Sequence, residues 1–499
     1  MRVVVGDQYP QFMENIEQIQ QVYEGYQSYK EKNFVMDFDD LLEKTVQLLQ
    51  SNEEVRTKVA AQHRFIMVDE YQDTNKLQAT LTQLLSSVHG NVMAVGDDAQ
   101  SIYAFRGADH RNILEFPTLY DSCSLIKLEE NYRSTPQILH VANELLKQAY
   151  HKFDKQLFSQ KEESDKPALV KAASDNEQSR FLSQAILQLR EQEIGLNDIA
   201  VLFRNGRDSF DLEIELNRKN IPFVKFGGLK FTEAAHVKDV LAHIRVLVNP
   251  MDTLAWNRIL LLIDGIGPKT AQDLFEWIRL ASNPYALEAS EVVSKSYMKQ
   301  IKALSKLLIE LKSSDLTVSE TISRVVEYYK AFCEKRYDDY PKRLKDLETF
   351  IGIAAGFSSL SNMLRDLALD PINATAIDTE QQQHDEAPLV LSTIHSAKGL
   401  EWEHVFIMQC LDGVIPSSYS VEDEEQLDEE LRLLYVASTR AKQMLYFTYP
   451  ALAQSSYGDY FTKPSRFIEQ LPEDVLEPWI LTEEPDVDLL ENQDNYLTE

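Results

Sequence analysis

Over the first sixty residues, Phe12, Ile16, Ile19, Tyr23 and Tyr26 recur at helical spacing with no strand-like alternation, which predicts helices. The pattern then changes. A short apolar run, Phe65 to Val68, ends in Asp69-Glu70, and a second, Val92 to Val95, ends in Gly96-Asp97-Asp98. Unbroken apolar runs of this length predict buried parallel strands. Both deliver acidic residues at their C-terminal ends, where open α/β sheets place their ligands. Further strands are expected at Ala168 to Val170, Ile199 to Phe203, Leu389 to Ile394, Val405 to Met408 and Leu445 to Tyr449. Between the second and third of these lies a mostly helical stretch, Phe231 to about Asp370, whose period shows at Ile322, Val325, Val326 and Tyr329. The second α/β unit is therefore expected to be split by a helical insertion, with the polar segment Ala374 to Pro388 as its return linker.

Composition narrows the class. A chain of 499 residues with 44% apolar and 10% aromatic residues can bury two to four cores. No stretch approaches the roughly 20 apolar residues that span a bilayer, and MRVVVGDQYP is not a secretory signal. Cys123, Cys333 and Cys410 lie far apart without a C-x-x-C pairing, which fits reduced thiols in a cytoplasmic protein better than zinc or disulfides. A net charge of −30 argues against nonspecific coating of nucleic acid. It leaves room for a local basic groove, because the acids cluster in Val421 to Leu431 and from Glu473 onward, both read as solvated surface.

Two segments carry candidate chemistry. In Ile66 to Thr74 (IMVDEYQDT), a strand followed by Asp-Glu suits a nucleotide hydrolase: the Asp holds Mg²⁺ and the Glu polarises the attacking water. In Gly96 to Ala108, Gln100 can contact a γ-phosphate, and Tyr103 and Phe105, followed by Arg106, suit stacking on unpaired bases. Alone, paired acids after a strand also arise by chance, and two alternating aromatics also fit a core.

The order of blocks decides between these readings. DEYQDT, GDDAQSIYAFRGAD, Glu130 to Ser134 (ENYRS), Leu391 to Trp402 (LSTIHSAKGLEW) and Leu431 to Ala441 (LRLLYVASTRA) resemble, in sequence order, the UvrD/Rep/PcrA family of superfamily-one DNA helicases. The resemblance runs from about Met1 to Leu471. It implies two RecA-like α/β domains of P-loop NTPase type, built on parallel sheets, the first incomplete, with a helical accessory insertion. It also implies roles. Asp69 would be the Mg²⁺ carboxylate and Glu70 the catalytic base; Gln100 would sense the γ-phosphate of ATP, and Arg133 and Arg440 would both reach it. Tyr132 would stack on the adenine, Glu401 would accept a hydrogen bond from the ribose, and Gly399 would belong to the same nucleotide-binding set. Tyr103, Phe105, Arg106, Thr393, His395 and Lys398 would line single-stranded DNA. The family usually carries Trp where this chain has Phe105, which weakens stacking without removing it. Phe226 to Phe231, Val237 to Val240 and Val248 to Pro250 resemble the entry to the family's mobile accessory domain. Within it, Gly265, Gly267 and Lys269 (GIGPKT) resemble a helix-hairpin-helix turn that binds a duplex phosphate.

The expected layout is residues 1–60 as a helical remnant of the first accessory domain and 61–130 as the C-terminal part of the first motor domain. The second motor domain would occupy 131–228 and 386–475, with the insertion at 229–385 and an acidic tail at 476–499. The resemblance implies an ATP-dependent helicase moving 3′ to 5′ on single strands and at single/double-strand junctions. The family's G-x-x-x-x-G-K-[ST] phosphate loop is expected well upstream of the DEYQD block, and no G-K-[ST] occurs in this sequence. A truncated gene, a start codon placed too late, or an upstream chain carrying the loop would each account for that. The competing expectation is a non-catalytic DNA-binding or regulatory fragment. A helicase–nuclease fusion is disfavoured, because 28 residues after Leu471 cannot hold a nuclease domain.

Overall fold

The computed structural model describes residues 10–120, 122–227, 234–368, 387–455 and 458–481. The chain divides into two units, with the boundary at Ile126/Lys127. The expected return linker up to residue 386, the Gly228 to Phe231 part of the insertion entry, and the tail beyond residue 481 lie outside the described residues.

In the first unit the predicted helices form at Ile16–Asn33, Phe38–Ser51 and Glu53–Gln62. The second begins with a capping box, in which Asp37 accepts from Asp40 N–H and Asp40 accepts from Asp37 N–H. Lys30 closes the corner before it, 2.8 Å from Asp37 and 2.6 Å from Asp40. Two strands follow, β1 (Ile66–Val68) and β2 (Val92–Ala94), paired in parallel with Ile66 opposite Val92. The helix Lys76–Ser86 connects them and packs against Phe38–Ser51 and β1.

The parallel pairing is as expected; the burial is not. Phe65, Met67, Met93 and Val95 share one face of the pair, and all four are exposed, Met67 at 72%. The run is apolar on both faces, as parallel strands are when helices cover both, but among the described residues of this unit that face has no cover. The helical stripe behaves alike: Ile16 is buried while Tyr23 and Tyr26 are exposed.

The second unit holds a seven-stranded, wholly parallel sheet. Its strands are β3 (Ala168–Ala172), β4 (Ile199–Phe203), β5 (Phe223–Phe226), β6 (Leu389–Thr393), β7 (Trp402–Ile407) and β8 (Ala441–Pro450), with β11 named below. A two-stranded antiparallel hairpin, β9 (Leu452–Ser455) and β10 (Gly458–Phe461), follows β8. The last strand, β11 (Glu477–Ile480), completes the order β11-β3-β8-β7-β4-β6-β5. β4 is buried at every position, which is why its sequence IAVLF shows no alternation.

All five strands expected in this unit form. β5 and β11 were not anticipated, and β11 falls inside the segment read as acidic tail. Its hold is aromatic: Trp479 packs edge-on against Tyr446 and Phe181, with centroids 5.6 and 6.4 Å apart.

The helical insertion leaves the sheet after β5 and re-enters it at β6, which pair as neighbours. Between them, from Ala235 to Ala368, every regular described element is helical. The insertion has its own core around Trp256, Tyr329 and Phe350. At its centre the buried Asp239 accepts from Tyr329 Oη (2.6 Å) and Arg258 Nε (2.6 Å), so its charge is paired and hydrogen-bonded.

Candidate nucleotide and DNA sites

In the first unit, Asp69 and Glu70 sit at the carboxyl end of β1, both exposed. Glu70 adopts a left-handed backbone (φ 50°), and its N–H donates to Asp69 Oδ1 at 2.9 Å. A non-glycine residue held there stores strain of the kind that gathers at working sites. The hollow beside them, about 390 Å³, is lined by Asp69, Glu70, Asp73 and Thr74 among others.

Gln72, which the sequence did not single out, links the two acidic loops. Its side chain is fully buried, donating from Nε2 to Glu70 and accepting at Oε1 from Asp97 N–H (3.1 Å). Gly96 must be glycine for this to fit, since a Cβ there would stand 2.3 Å from Gln72 Oε1. Gln100 donates to Asp97 Oδ2 at 2.9 Å, so Glu70, Gln72, Asp97 and Gln100 form one chain of contacts. The only available sequence signal was a Gln inside the same block as the two acids.

Tyr103 and Phe105 lie 6.0 Å apart, with the Arg106 guanidinium 5.6 and 5.4 Å from their rings. Phe105 is 66% exposed, and Tyr103 is only partly buried. That is a surface platform and not core packing.

In the second unit three backbone segments meet at one end of the sheet. Asn131 Oδ1 accepts the N–H groups of Arg133 and Ser134, both at 2.8 Å, and so fixes the loop before helix Pro136–Lys147. Ser134 Oγ donates to Ala441 O (2.6 Å) and Thr135 N–H to Lys442 O (3.1 Å), which ties that loop to the start of β8. Trp402 N–H donates to Arg440 O (3.0 Å), which ties the start of β7 to the same seam. Arg133 then meets Glu401 through Nε, and Tyr132, 78% exposed, donates its hydroxyl to Glu130 at 2.8 Å. Hydrogen bonding from Arg133 holds the Glu401 carboxyl below the ordinary glutamate range.

This cluster lies at the amino ends of β7 and β8, not at the carboxyl ends where the sheet rule looks for ligands. Arg440 belongs to the seam but does not face outward. It is 2% exposed, donating from Nε to Val436 O (3.1 Å), Nη1 to Leu400 O (3.1 Å) and Nη2 to Thr439 Oγ1 (3.2 Å).

Thr393 is the last residue of β6, and His395 and Lys398 follow it at the strand's carboxyl end. Thr393 caps the short helix Ile394–Ala397, and Gly227 passes so close that a Cβ would lie 2.1 Å from Thr393 Oγ1. Gly399 takes φ +86°, turning the chain toward Glu401. In the insertion, Gly265 (φ +87°) and Gly267 join helix Thr253–Leu260 to helix Pro268–Leu280. Gly267 caps the second helix through its backbone, and Lys269 is exposed in that helix's first turn.

The parallel sheets and the helical insertion are those of an α/β protein with RecA-like domains. Residues 7–121 match the UvrD/REP helicase N-terminal domain, and residues 126–451 match the UvrD-like helicase C-terminal domain. The chain belongs to the UvrD-like helicase family. Among its curated relatives, the ATP-dependent DNA helicase PcrA of Leuconostoc citreum is 33% identical over 472 residues, covering 89% of this chain and 61% of the relative. The PcrA of Bacillus subtilis (strain 168) is 33% identical over 470 residues, covering 89% and 63%. The chain thus spans about three-fifths of the length of these relatives.

Among the described residues no group of three or more His, Cys, Asp and Glu could hold a metal, and no helix is long and apolar enough to cross a membrane. Cys333 and Cys410 are buried, and all three cysteines are unbridged.

Proposed function

We propose that this chain is the larger part of an ATP-dependent DNA translocase that moves 3′ to 5′ on single strands and opens duplex at junctions. The observation that carries the reading is the meeting of Arg133 with Glu401, 268 residues apart in sequence, beside the exposed ring of Tyr132. An aromatic face for a base, a carboxylate for a ribose hydroxyl and a guanidinium for phosphate are what an adenosine triphosphate requires. In the first unit Asp69 is the carboxylate to hold Mg²⁺, an ion that commonly uses one or two carboxylates and keeps several waters. When bound, the ion neutralises charge on the phosphates. Glu70 orients and polarises the attacking water, and Gln72 keeps it in register with the Asp97–Gln100 loop. Tyr103, Phe105 and Arg106, with Thr393, His395 and Lys398, serve single-stranded DNA; Gly265, Gly267 and Lys269 serve a duplex phosphate. The protein works in the cytoplasm.

Turnover by this chain alone is a separate matter. No G-K-[ST] is present in the sequence, and the β1–β2 pair exposes an apolar face of the kind that further strands or helices cover. Both observations favour a phosphate loop contributed by polypeptide outside this sequence, upstream or on another chain. They also favour the second reading, a fragment that binds DNA without turnover. Steady-state ATP hydrolysis with single-stranded DNA, by the chain alone and again with a polypeptide that carries the loop, separates the two, with Glu70→Gln as the control. Hydrolysis that needs both DNA and Glu70 supports the motor within this chain, and its absence supports the need for a complementing segment.

A further inference from the structure

Lys442 is the second residue of β8, and its ammonium stands 3.3 Å from Glu401 Oε1 and 3.4 Å from Glu403 Oε1. Arg133 holds the other oxygen of Glu401. Each oxygen of one carboxylate therefore carries its own cation. The two cations are anchored differently. Arg133 projects from a loop, whereas Lys442 rises from a strand whose backbone is bonded to that loop and runs beside β7.

An arginine that is to bind phosphate must release the carboxylate it holds. A carboxylate abandoned beside an arriving triphosphate would be repelled by it and would turn away. Glu401 does not face that outcome, because one of its two cations is independent of Arg133.

We propose that Lys442 is a positioning residue of the nucleotide cleft, holding Glu401 toward a ribose hydroxyl when Arg133 exchanges that carboxylate for phosphate. The proposal rests on the nucleotide reading of the Arg133–Glu401 cleft. Glu403 is the reserve partner that keeps the Lys442 ammonium at this end of the sheet. The competing description is an ordinary surface ion pair, since Lys442 and Glu401 are 27% and 41% exposed at their side chains.

The test uses the full chain labelled with ¹³C at glutamate carboxyls, titrated as parent, Arg133→Gln, Lys442→Gln and the double variant. The Glu401 resonance, assigned by Glu401→Gln, is expected to stay below the ordinary titration range in Arg133→Gln and to reach it only in the double variant. An ordinary Glu401 in Arg133→Gln alone overturns the proposal. The second arm measures ATP against its 2′,3′-dideoxy analogue at equilibrium. Lys442→Gln is expected to cut the preference for ATP by roughly tenfold, as loss of a charge-assisted hydrogen bond does, with Lys442→Arg restoring it. An unchanged preference leaves Lys442 as a surface ion pair and overturns the proposal. A parent chain that binds neither nucleotide even with a phosphate loop supplied, with the titrations as expected, strikes instead at the nucleotide reading of the cleft.

Discussion

Thr393 and Glu401 bound the same short connection yet lie at opposite ends of the seven-stranded sheet. Thr393 is level with Phe203 at the carboxyl end of β6, whereas Trp402, next to Glu401, is level with Ala441 where β7 and β8 begin. The intervening segment runs the height of the sheet through helix Ile394–Ala397 and the left-handed Gly399. The residue proposed for DNA and the residue proposed for ribose are thus joined by a span with one helical turn and one fixed bend. A shift at either end has few soft torsions in which to be lost.

The Thr393 end is held by close approach, and Gly227 is where that approach can be tested. Its φ of +76° and the 2.1 Å from an added Cβ to Thr393 Oγ1 act together. Gly227→Ala should destabilise the second unit by about 1–3 kcal/mol, read from urea unfolding, and should weaken single-stranded DNA binding. A variant as stable as the parent would show that this turn relaxes freely.

The aromatic platform gives a prediction on the other unit. Each base–aromatic stack contributes about 1–3 kcal/mol by alanine substitution. Tyr103→Ala with Phe105→Ala should therefore weaken single-stranded DNA binding by at least about tenfold. The salt dependence should barely change, because no phosphate contact is removed. Fluorescence anisotropy at several salt concentrations checks both parts, and undiminished affinity would place the strand elsewhere.

The central strands were legible because a strand buried on both faces is written as an unbroken apolar run, as in IAVLF of β4. β5 was not, since FVKF is short and contains Lys225, which lies buried 2.6 Å from Glu213 Oε1. A buried ion pair is invisible until both partners are placed. For β1 and β2 the run correctly implies two apolar faces, but nothing in it says whether a covering layer is present. The site residues were legible as types in ordered blocks. Their directions were not, so Gln72 was overlooked, and nothing in the block showed that Arg440, expected to reach a γ-phosphate, lies buried in the seam.

A pH dependence follows from Asp211, in the helix Phe210–Arg218 that precedes β5. Burial raises the Asp211 carboxyl to about 6, with Asp175 and Glu215 adding to the effect. In the unfolded chain an aspartate titrates near 3.9. Between these values the folded protein binds more protons than the unfolded one, so stability should fall as pH rises from about 4 to 6 and then level off. Asp211→Asn should flatten that segment of the curve and be more stable than the parent at pH 7. Urea midpoints from pH 4 to 8 measure it, and an identical slope in both proteins would assign the titration to another group.

The two arginines proposed for the nucleotide should part company. Arg133 pairs with Glu401 at the surface, their side chains 30% and 41% exposed, and such pairs contribute about 0–1 kcal/mol to stability. Arg133→Ala should therefore leave the unfolding midpoint almost unmoved. Arg440 is 2% exposed and satisfies the carbonyls of Val436 and Leu400, joining the end of helix Glu424–Ser438 to the turn before β7. Removing it strands the Leu400 carbonyl, leaves Val436 O to Thr439 Oγ1 alone and opens a cavity, which should cost about 2–4 kcal/mol. Arg440→Lys should recover only part of this, because an ammonium cannot reproduce the planar fork. Both variants should be compared by urea unfolding and by single-turnover hydrolysis once a phosphate loop is supplied. For Arg133→Ala, hydrolysis should drop by on the order of a thousandfold at unchanged stability, as for arginines that act on a transferring phosphoryl group. For Arg440→Ala, loss of turnover should come with loss of stability. If Arg440→Ala unfolds like the parent and loses turnover alone, its guanidinium leaves the seam to act on phosphate, and the buried arrangement is one of two states.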